Sequence, residues 1–542
     1  MKRTWNAGLC LLALATLIAW QICCSAPTYG QGQDQRQEDD DFGHTVIGRE
    51  VAIPHHLQDG EEYELPTRQL IAFGEKLFTV RWTSQEGAGR PLTKGTGAPL
   101  SDPSDPLVFP RNTNRFSGPD SNACSGCHNL PYVGGGGDIV TKVFVEGNRF
   151  DFLTFDHDDT MPTKGAVDEL GNFVTTQSAA DPRKTIGMNG SGFIEMLARQ
   201  MTADLETIRD STPRGGARLL KTKGISFGII ARHIDGSWDT SHVIGLPPQS
   251  LKTPGSEDPP SLLILAFAQA GNAVSIRQFT NNAFNQHLGI QSEERFGVDV
   301  DADGDGFVNE LTRADMTAVT VFQATLPVPG RVINTDSYVE AAIVNGERKF
   351  KKVGCTDCHV PALPLDDHGW VYREPNPYNP PGNLQPGDAP PLSIDLTSEK
   401  LPGPHLRPAN GIVYVPAYTD LKLHNICSGP KDPNTESINQ NEPPGSAAFF
   451  AGNREFITRK LWGLYNSGPF MHHGQFTTMR EAILAHHGEA EASGRAFRSL
   501  AQYDQDSIIE FLKSLQVLPP GTKSLCVDQD REPIACPPGA QP

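Results

Sequence analysis

The pentapeptide C-x-x-C-H occurs twice in this chain of 542 residues and constrains its fold more than any other feature. The residues that carry chemistry in motif 1 and motif 2 are Cys124, Cys127 and His128, and Cys355, Cys358 and His359. Two thiols at this spacing bond the two vinyl groups of one haem, and the following imidazole binds its iron. A redox dithiol does not need that histidine, and a zinc site would have to join cysteines more than 200 residues apart. The motifs therefore predict two covalently bound haem c groups, haem 1 and haem 2, with His128 and His359 as iron ligands.

A short repeat precedes both motifs. Residues 74–78 read GEKLF and residues 346–350 read GERKF, and the second copy leads into motif 2 within five residues. A helix with this glycine and aromatic residue, followed by the haem motif, is the order of a small cytochrome c unit. Residues 507–516 repeat apolar side chains at helical spacing and predict a closing C-terminal helix. We therefore predict two cytochrome c-like domains in a mainly α fold, since few strand patterns and no αβ alternation are visible.

The predicted boundaries follow the motifs and the loop-rich stretches. They are a signal peptide at 1–30, a polar N-terminal segment at 31–66, a haem 1 domain at 67–334, a haem 2 domain at 335–519 and a tail at 520–542. The 53 Gly and 44 Pro residues agree with long, loop-rich insertions in these domains. A net charge of -18 argues against nucleic acid as a partner.

The N-terminus has the pattern of a secretory signal peptide. Lys2 and Arg3 precede a long apolar run, small residues follow it, and we expect cleavage after Gly30. The pattern favours export to the periplasm, where c-type haem is attached. An uncleaved membrane anchor and lipidation at Cys23 or Cys24 remain open alternatives.

Three cysteines lie outside the motifs and the signal region. Cys526 and Cys536 flank nine residues, and in an oxidising compartment we expect them to form a disulfide. Cys427 is then left as a single, buried structural residue.

The acidic stretch DVDADGDGFVNELT has the pattern of a calcium loop. Counted from Asp301, its predicted ligands are Asp301, Asp303, Asp305, the Phe307 carbonyl, Asn309 and Glu310. Asp315 is an alternative to Glu310, and a count from Asp299 would instead put Glu310 at position 12. Crowded carboxylates repel one another unless a cation neutralises them, so we predict a structural Ca²⁺ ion. A solvated acidic turn is the alternative.

Four further stretches carry a family resemblance: GCTDCHVPALPL, LWGLYNSGPFMHHGQFTTMREAILAHHGEA, NNAFNQHLGIQSEERFG and VPAYTDLKLHN. Together they resemble the bacterial di-haem cytochrome c peroxidase superfamily. Within it the chain is similar to the large di-haem oxidoreductases, a peroxidase-like and thiol oxidoreductase-like branch. The resemblance extends over about residues 67–520.

The resemblance implies an activity and partners. Haem 2 would accept electrons from a donor protein, a small cytochrome or a cupredoxin, and pass them to haem 1, which would reduce hydrogen peroxide. The resemblance also implies a Ca²⁺ site between the domains, and it is compatible with a homodimer. Two alternatives stay open: an electron carrier with both irons six-coordinate and no substrate site, and an oxidase of a thiol or of a partner protein.

The resemblance also assigns the sixth ligand of haem 2. An H-x-G turn precedes that ligand by fourteen residues in this superfamily; His472 lies in the turn, so His486 takes the ligand position, with His487 as the alternative. Thr478 and Glu481 predict a capping box at the start of a helix that lies between His472 and His486. A histidine in place of the methionine that is common there would lower the potential of haem 2.

A peroxidase needs a polar group near haem 1 to move protons during O–O bond cleavage. His287 and Glu294 are the candidate catalytic residues, and the resemblance makes His287 the more attractive. A structural hydrogen bond is the alternative role for His287. Further candidates are Glu146, His157 and His424 for the haem pockets, and Trp82, Trp238, Trp370 and Trp462 for a path between the haems.

Overall fold

Helices and short strands follow one another without a regular order along the described chain. The computed structural model describes residues 47–89, 121–137, 140–142, 181–302, 305–439, 441–442 and 446–536. The expected signal peptide, with Cys23 and Cys24, lies outside these ranges, as do Glu146 and His157. Within the ranges, no helix is both long and apolar enough to cross a membrane.

The helices of the described residues are numbered here in chain order. They are α1 (Glu61–Glu64), α2 (Thr67–Thr79), α3 (Ser191–Asp210), α4 (Pro248–Leu251), α5 (Ile276–Ala283), α6 (Glu293–Phe296), α7 (Arg313–Ala324), α8 (Ser337–Lys352), α9 (Ala447–Phe450), α10 (Met479–Leu484), α11 (Glu491–Ser499) and α12 (Gln502–Ser514). Helices α7 and α10 begin at capping boxes, Thr312 with Asp315 and Thr478 with Glu481. These side chains satisfy N–H groups that a first helical turn leaves unpaired. The capping box expected at Thr478 is thus confirmed.

The strands are short and form small, separate sheets. They are β1 (Val140–Lys142), β2 (Pro182–Lys184), β3 (Gly216–Thr222), β4 (Ile225–Arg232), β5 (Trp238–Asp239), β6 (Gly330–Val332), β7 (Leu363–Leu365), β8 (Val371–Glu374), β9 (Leu392–Asp395), β10 (Val413–Val415), β11 (Leu423–Asn425), β12 (Glu455–Ile457), β13 (Leu515–Gln516) and β14 (Cys526–Val527). Antiparallel pairs join β1 to β2, β7 to β10, β8 to β9 and β11 to β12. Three-stranded sheets have the orders β3-β4-β5 and β13-β6-β14, and β6 pairs with β14 in parallel.

The prediction of a mainly α fold is wrong. Of the described residues, 32% are helical and 15% lie in strands, so the fold is mixed α and β. The longest strands form the β3-β4 hairpin, which turns at Lys223 and Gly224 with φ of 46° and 85°. Two-residue turns with positive φ match the twist of the flanking strands. The Lys-Gly pair between two runs rich in apolar residues was the sequence signal for this hairpin.

Helices α2 and α7 cross at Gly74, the glycine of the first repeat. A Cβ at Gly74 would overlap the Ala318 carbonyl of α7, so glycine permits this close approach. Leu77 and Phe78 of α2 and Val319 of α7 are buried in one core at this crossing. The crossing forms the core of the part of the fold that contains motif 1.

Helices α8 and α12 repeat this arrangement at Gly346. A Cβ there would overlap the Ser507 carbonyl of α12, and Phe350, Ile508 and Phe511 form a second core. The same glycine of the repeat therefore lies at a helix crossing in both halves. Helix α12 confirms the closing C-terminal helix that the sequence predicts. Glu50–Pro542 form one compact unit, and the boundary at 334/335 stays a prediction.

A third core lies under the β3-β4 hairpin. Leu197, Met201 and Leu205 of α3 are fully buried there with Leu220 of β3 and Phe227 of β4. These α3 positions recur at helical spacing, so one face of the helix covers the sheet.

The expected disulfide is present. Cys526 and Cys536 are bonded, with their Cα atoms 5.3 Å apart. Cys427 is buried, and its thiol donates to the Arg454 carbonyl at 3.7 Å.

Candidate haem-binding sites

Motif 1 and motif 2 have the same local conformation. Each begins with one 3-10 turn, Cys124–Gly126 or Cys355–Asp357. The backbone N–H of each motif histidine donates to the carbonyl of the first motif cysteine at 3.0 Å. One closed turn therefore carries both thiols and the imidazole of each motif, which suits attachment to a single ring.

The aromatic residue of each repeat lies beside the histidine of its motif. The ring centroids of Phe78 and His128 are 6.2 Å apart with 55° between the planes. For Phe350 and His359 the values are 6.2 Å and 48°. Each helix crossing thus places one apolar ring against one motif imidazole, and this arrangement occurs at both motifs.

None of the four motif cysteines forms a disulfide bond. Burial raises the pKa of Cys124 and that of Cys355 to about 12. A buried thiol with so high a pKa is a poor nucleophile for disulfide exchange. The raised pKa values therefore argue against redox dithiol chemistry at these cysteines.

His359 is a neutral imidazole with a defined tautomer. Its Nδ1 lies 3.1 Å from the Tyr418 carbonyl, which can only accept, so Nδ1 carries the proton. Burial, with a smaller contribution from nearby His486, lowers the pKa of His359 to about 4. Nε2 keeps its lone pair, the form in which an imidazole binds a metal.

His486 has the same tautomer and lies close to His359. Its Nδ1 donates to the Ala482 carbonyl at 2.7 Å, and burial lowers its pKa. Helix α10 ends at Leu484, so His486 follows the helix rather than continuing it. His359 and His486 are therefore the residues that would hold the iron of haem 2 as neutral imidazoles.

His487, the alternative ligand, has a different partner. Its Nδ1 lies 2.6 Å from Oδ2 of Asp432. Burial raises the pKa of Asp432, but hydrogen bonds from Ser428, Asn434 and His487 outweigh it and lower the pKa to about 2. Since this carboxylate holds His487, the geometry favours His486 as the ligand.

The first histidine pair of the same segment is buried in a turn. His472 stacks on Phe456 with ring centroids 3.8 Å apart. Nε2 of His473 lies 2.9 Å from Oδ1 of Asn434, and Nδ2 of Asn434 donates to the Ala485 carbonyl at 2.8 Å. The turn therefore supports the chain immediately before the candidate ligand.

At motif 1, His287 is near enough to His128 to influence the pKa of its imidazole. Burial chiefly, with a further contribution from His287, lowers the pKa of His128 to about 4. His287 lies in the π-helical turn Phe284–Leu288, and its carbonyl accepts from the N–H of Ser121 at 3.5 Å. Such turns recur at functional sites. The structure thus brings His287 to the histidine of motif 1.

Glu294 lies in a buried ion-pair network. Its carboxylate accepts three hydrogen bonds from Arg277, at 3.1, 3.0 and 2.7 Å, and one from Asn281. Arg277 is fully buried and also pairs with Glu374 at 3.3 Å. The contacts of Glu294 are those of an internal counter-ion, and its catalytic role stays a prediction.

His424 lies beside motif 2, next to Cys358. Its Nε2 is 2.9 Å from Oδ2 of Asp420, and its Nδ1 is 2.8 Å from Oε2 of Glu489. Burial lowers the pKa of His424, but hydrogen bonds with Asp420 and Cys358 outweigh it and raise the pKa to about 11. Both ring nitrogens of His424 therefore have carboxylate partners.

A cavity of about 70 Å³, partly open to solvent, lies beside His128. Much of its wall is apolar and includes Met188, Ile194, Phe267, Ile276, Phe279 and Leu421. Arg459 and Lys460 also line it. An apolar cleft with a neutral imidazole and a few polar groups in its wall fits a flat, mostly apolar group such as haem.

Residues 457–462 connect the two sites. The backbone of Arg459 contacts His359, while residues 457–460 line the cavity of His128. Of the four tryptophans considered for a path between haems, Trp462 alone lies in this segment. Trp462 is buried against Gly190, where a Cβ would overlap the indole.

The described part of the acidic loop forms a tight turn. Asp301 accepts from the backbone N–H groups of Asp305 and Gly306 at 3.1 and 2.9 Å, and Oδ1 of Asp305 accepts from the N–H of Phe307 at 2.8 Å. Asp303 lies outside the described residues.

The remaining candidate calcium ligands have protein partners. Asn309 exchanges two hydrogen bonds with Asp299, both at 2.8 Å. Glu310 is buried and accepts from the N–H of Gln291 at 2.9 Å. Asp315 caps α7 and lies 2.6 Å from Nδ1 of His56, and the choice between Glu310 and Asp315 stays a prediction.

Sequence reasoning missed Tyr418, whose carbonyl orients His359, and the cations Arg459 and Lys460. Tyr418 lies within VPAYTDLKLHN, but its backbone contact follows from tertiary packing and has no sequence signal. The TRKLW stretch that contains Arg459 and Lys460 has no pattern that separates it from a solvated basic turn.

Residues 391–515 match the family described as "Di-haem oxidoreductase, putative peroxidase". This confirms the resemblance for a segment that contains His424, His472 and His486 but neither C-x-x-C-H motif. No curated protein matches the chain significantly. Among similar solved structures is "Kuenenia stuttgartiensis Hydrazine Synthase Pressurized with 20 bar Xenon", at 11% identity over 85% of this chain and 95% of that one, with a TM-score of 0.31. A TM-score this low carries no structural argument.

Proposed function

We propose that this chain is an exported di-haem c-type cytochrome and a peroxidase-type oxidoreductase that reduces hydrogen peroxide. The observation that carries the proposal is the duplicated site. In each half, a C-x-x-C-H turn, a phenylalanine of the repeat and a second histidine come together. The family match over residues 391–515 supports the oxidoreductase role.

Bound haem would supply electron transfer and reductive O–O bond cleavage, with electrons entering at haem 2 from a small cytochrome or cupredoxin and peroxide reduced at haem 1. The motif cysteines would fix each ring, and His128 and His359 would each bind an iron. His486, fixed as an Nδ1–H tautomer by the Ala482 carbonyl, would direct Nε2 to the sixth position of haem 2. That site would then be closed to peroxide.

His287 would handle protons at haem 1. An imidazole can take the proton that peroxide releases and return it to the departing oxygen. Its π-helical turn packs on the chain just before motif 1, so its position is tied to the motif. The apolar wall of the cavity would limit the water that reaches the site.

The same closeness of His287 to His128 favours a second candidate function. If His287 binds the iron of haem 1 permanently, both irons are six-coordinate and the protein is an electron carrier. The two functions differ in whether haem 1 opens to a small ligand.

The proposal includes export and a structural Ca²⁺ ion. The signal-peptide pattern and the disulfide between Cys526 and Cys536 support export to an oxidising compartment. The tight turn at Asp301 and the burial of Glu310 beside it support the calcium loop. The ion would hold this loop against α7.

A haem count and a peroxide assay test the proposal. The purified chain should carry two haems by the pyridine haemochrome method and oxidise a reduced small cytochrome only when peroxide is present. Replacing Cys124 and Cys127 by Ser should remove one haem and the peroxide reaction. The control Cys427→Ser changes a cysteine outside the motifs and should preserve both. Two haems without peroxide-dependent oxidation of any donor would contradict the peroxidase and support the electron carrier.

A further inference from the structure

Two adjacent cations, Arg459 and Lys460, line the cavity beside His128. Neither has a carboxylate partner among the described residues. Nζ of Lys460 donates to the Asn189 carbonyl at 3.1 Å and lies 5.8 Å from the centre of the Trp462 ring. Arg459 and Lys460 are both half-buried in the cavity wall. Two like charges in such a place are unfavourable unless an anion joins them.

The rest of the cavity defines the kind of anion. Its wall is largely apolar, so a small inorganic anion would leave most of that surface without a complementary partner. A ligand with a broad apolar face and carboxylates at one edge matches the whole cavity. Haem has this chemistry, because two propionates extend from one edge of an apolar ring.

We infer that Arg459 and Lys460 bind the propionates of haem 1. The inference rests on the proposed function, which places a haem at motif 1, and adds the residues that orient its charged edge. His128 would bind the iron, and the motif 1 cysteines would attach the ring. The two cations would bind its charged edge. Positive charge there stabilises the reduced iron and raises its potential, since reduction lowers the positive charge on the ring.

Redox titration of the full-length holoprotein, followed by absorbance, tests this inference. Arg459→Gln and Lys460→Gln should each lower the potential of haem 1, changing its reduction equilibrium by about tenfold, or about 59 mV for one electron. Haem 2 should change less. Arg459→Lys and Lys460→Arg keep the charge and should stay close to the wild type. The matched control is Lys223→Gln, because the buried Lys223 already pairs with Asp366 and lies outside the cavity.

The outcomes separate this inference from the proposed function. Two haems per chain with an unchanged haem 1 potential in both Gln variants would overturn the inference alone. An equal shift in Lys223→Gln would overturn it too, because the effect would then be general destabilisation. A chain that carries no haem at motif 1 would overturn both the inference and the proposed function. Peroxide turnover plays no part in this measurement.

Discussion

His486 lies close enough to His359 to lower the pKa of its imidazole, and both residues donate from Nδ1 to a backbone carbonyl. Carbonyls accept and never donate, so both rings keep Nε2 free of a proton. A pair of neutral imidazoles with matching tautomers is what a six-coordinate haem requires. His487, one residue later, is instead held by Asp432.

This relationship predicts different spectra for two neighbouring variants. His486→Ala should convert haem 2 from low-spin to high-spin, because the sixth ligand is lost. His486→Met should keep it low-spin and raise its potential. The matched variant His487→Ala should leave the haem 2 spectrum unchanged. Resonance Raman spectra of the ferric protein check this, and a high-spin haem 2 in His487→Ala alone would assign the ligand to His487.

The helix crossing at Gly346 predicts a large loss of stability on adding one methyl group. Gly346→Ala places a Cβ against the Ser507 carbonyl, and backbone cannot yield as a flexible side chain does. We expect the free energy of unfolding to fall by about 3 kcal/mol. Val344→Ala, at an exposed position of the same helix, should change it by less than about 0.5 kcal/mol. Urea denaturation measures both, and equal effects would contradict the close crossing.

The network around Arg277 predicts that the main effect of replacing Glu294 is a loss of stability. Glu294→Ala leaves a fully buried guanidinium with only Glu374 as a carboxylate partner, and should lower the free energy of unfolding by about 3 kcal/mol. Glu293→Ala, on the same helical turn, is the control and should have a small effect. Unfolding curves and peroxide kinetics are measured on the same samples. Unchanged stability with a large fall in kcat would instead support the catalytic role predicted for Glu294.

The carboxylate of Asp432 predicts a pH dependence of stability. Its pKa of about 2 in the fold lies below the unfolded value of about 3.9, so its stabilising contribution is present above about pH 4 and lost as the pH falls toward 2. Asp432→Asn should lower the free energy of unfolding by roughly 2 kcal/mol at about pH 6 and flatten its acid dependence. The exposed Asp530 offers the control Asp530→Asn. An unchanged acid slope in Asp432→Asn would contradict this role.

The sequence predicted those parts of the site that depend on local spacing. The C-x-x-C-H turns, the repeat helices and the capping box at Thr478 each follow from residues a few positions apart, and the structure has each of them. The family match confirms the resemblance around His486. The end of α10 at Leu484 was missed, because helical spacing continues through His486 and only tertiary contacts end the helix earlier.

The parts that sequence reasoning missed depend on contacts between distant segments. Helix α7, which closes the motif 1 half, follows motif 1 by nearly 200 residues, so nothing local connects them. The strands are only two to eight residues long, so hydrophobic alternation within them is too short to recognise. Arg459 and Lys460 reach the cavity only because residues 457–460 pack beside motif 1 and motif 2 together.

The central claim is that peroxide reacts at haem 1 while haem 2 stays six-coordinate. Electron paramagnetic resonance of the full-length protein, fully oxidised and after reduction by one electron per chain, tests it most directly when peroxide is then added. The account predicts that the half-reduced protein loses the low-spin ferric signal of haem 2, because low-spin ferrous iron has no unpaired electron, and shows a high-spin ferric haem 1 whose signal disappears with one equivalent of peroxide. A half-reduced protein whose remaining ferric haem is low-spin and unchanged by peroxide would contradict it.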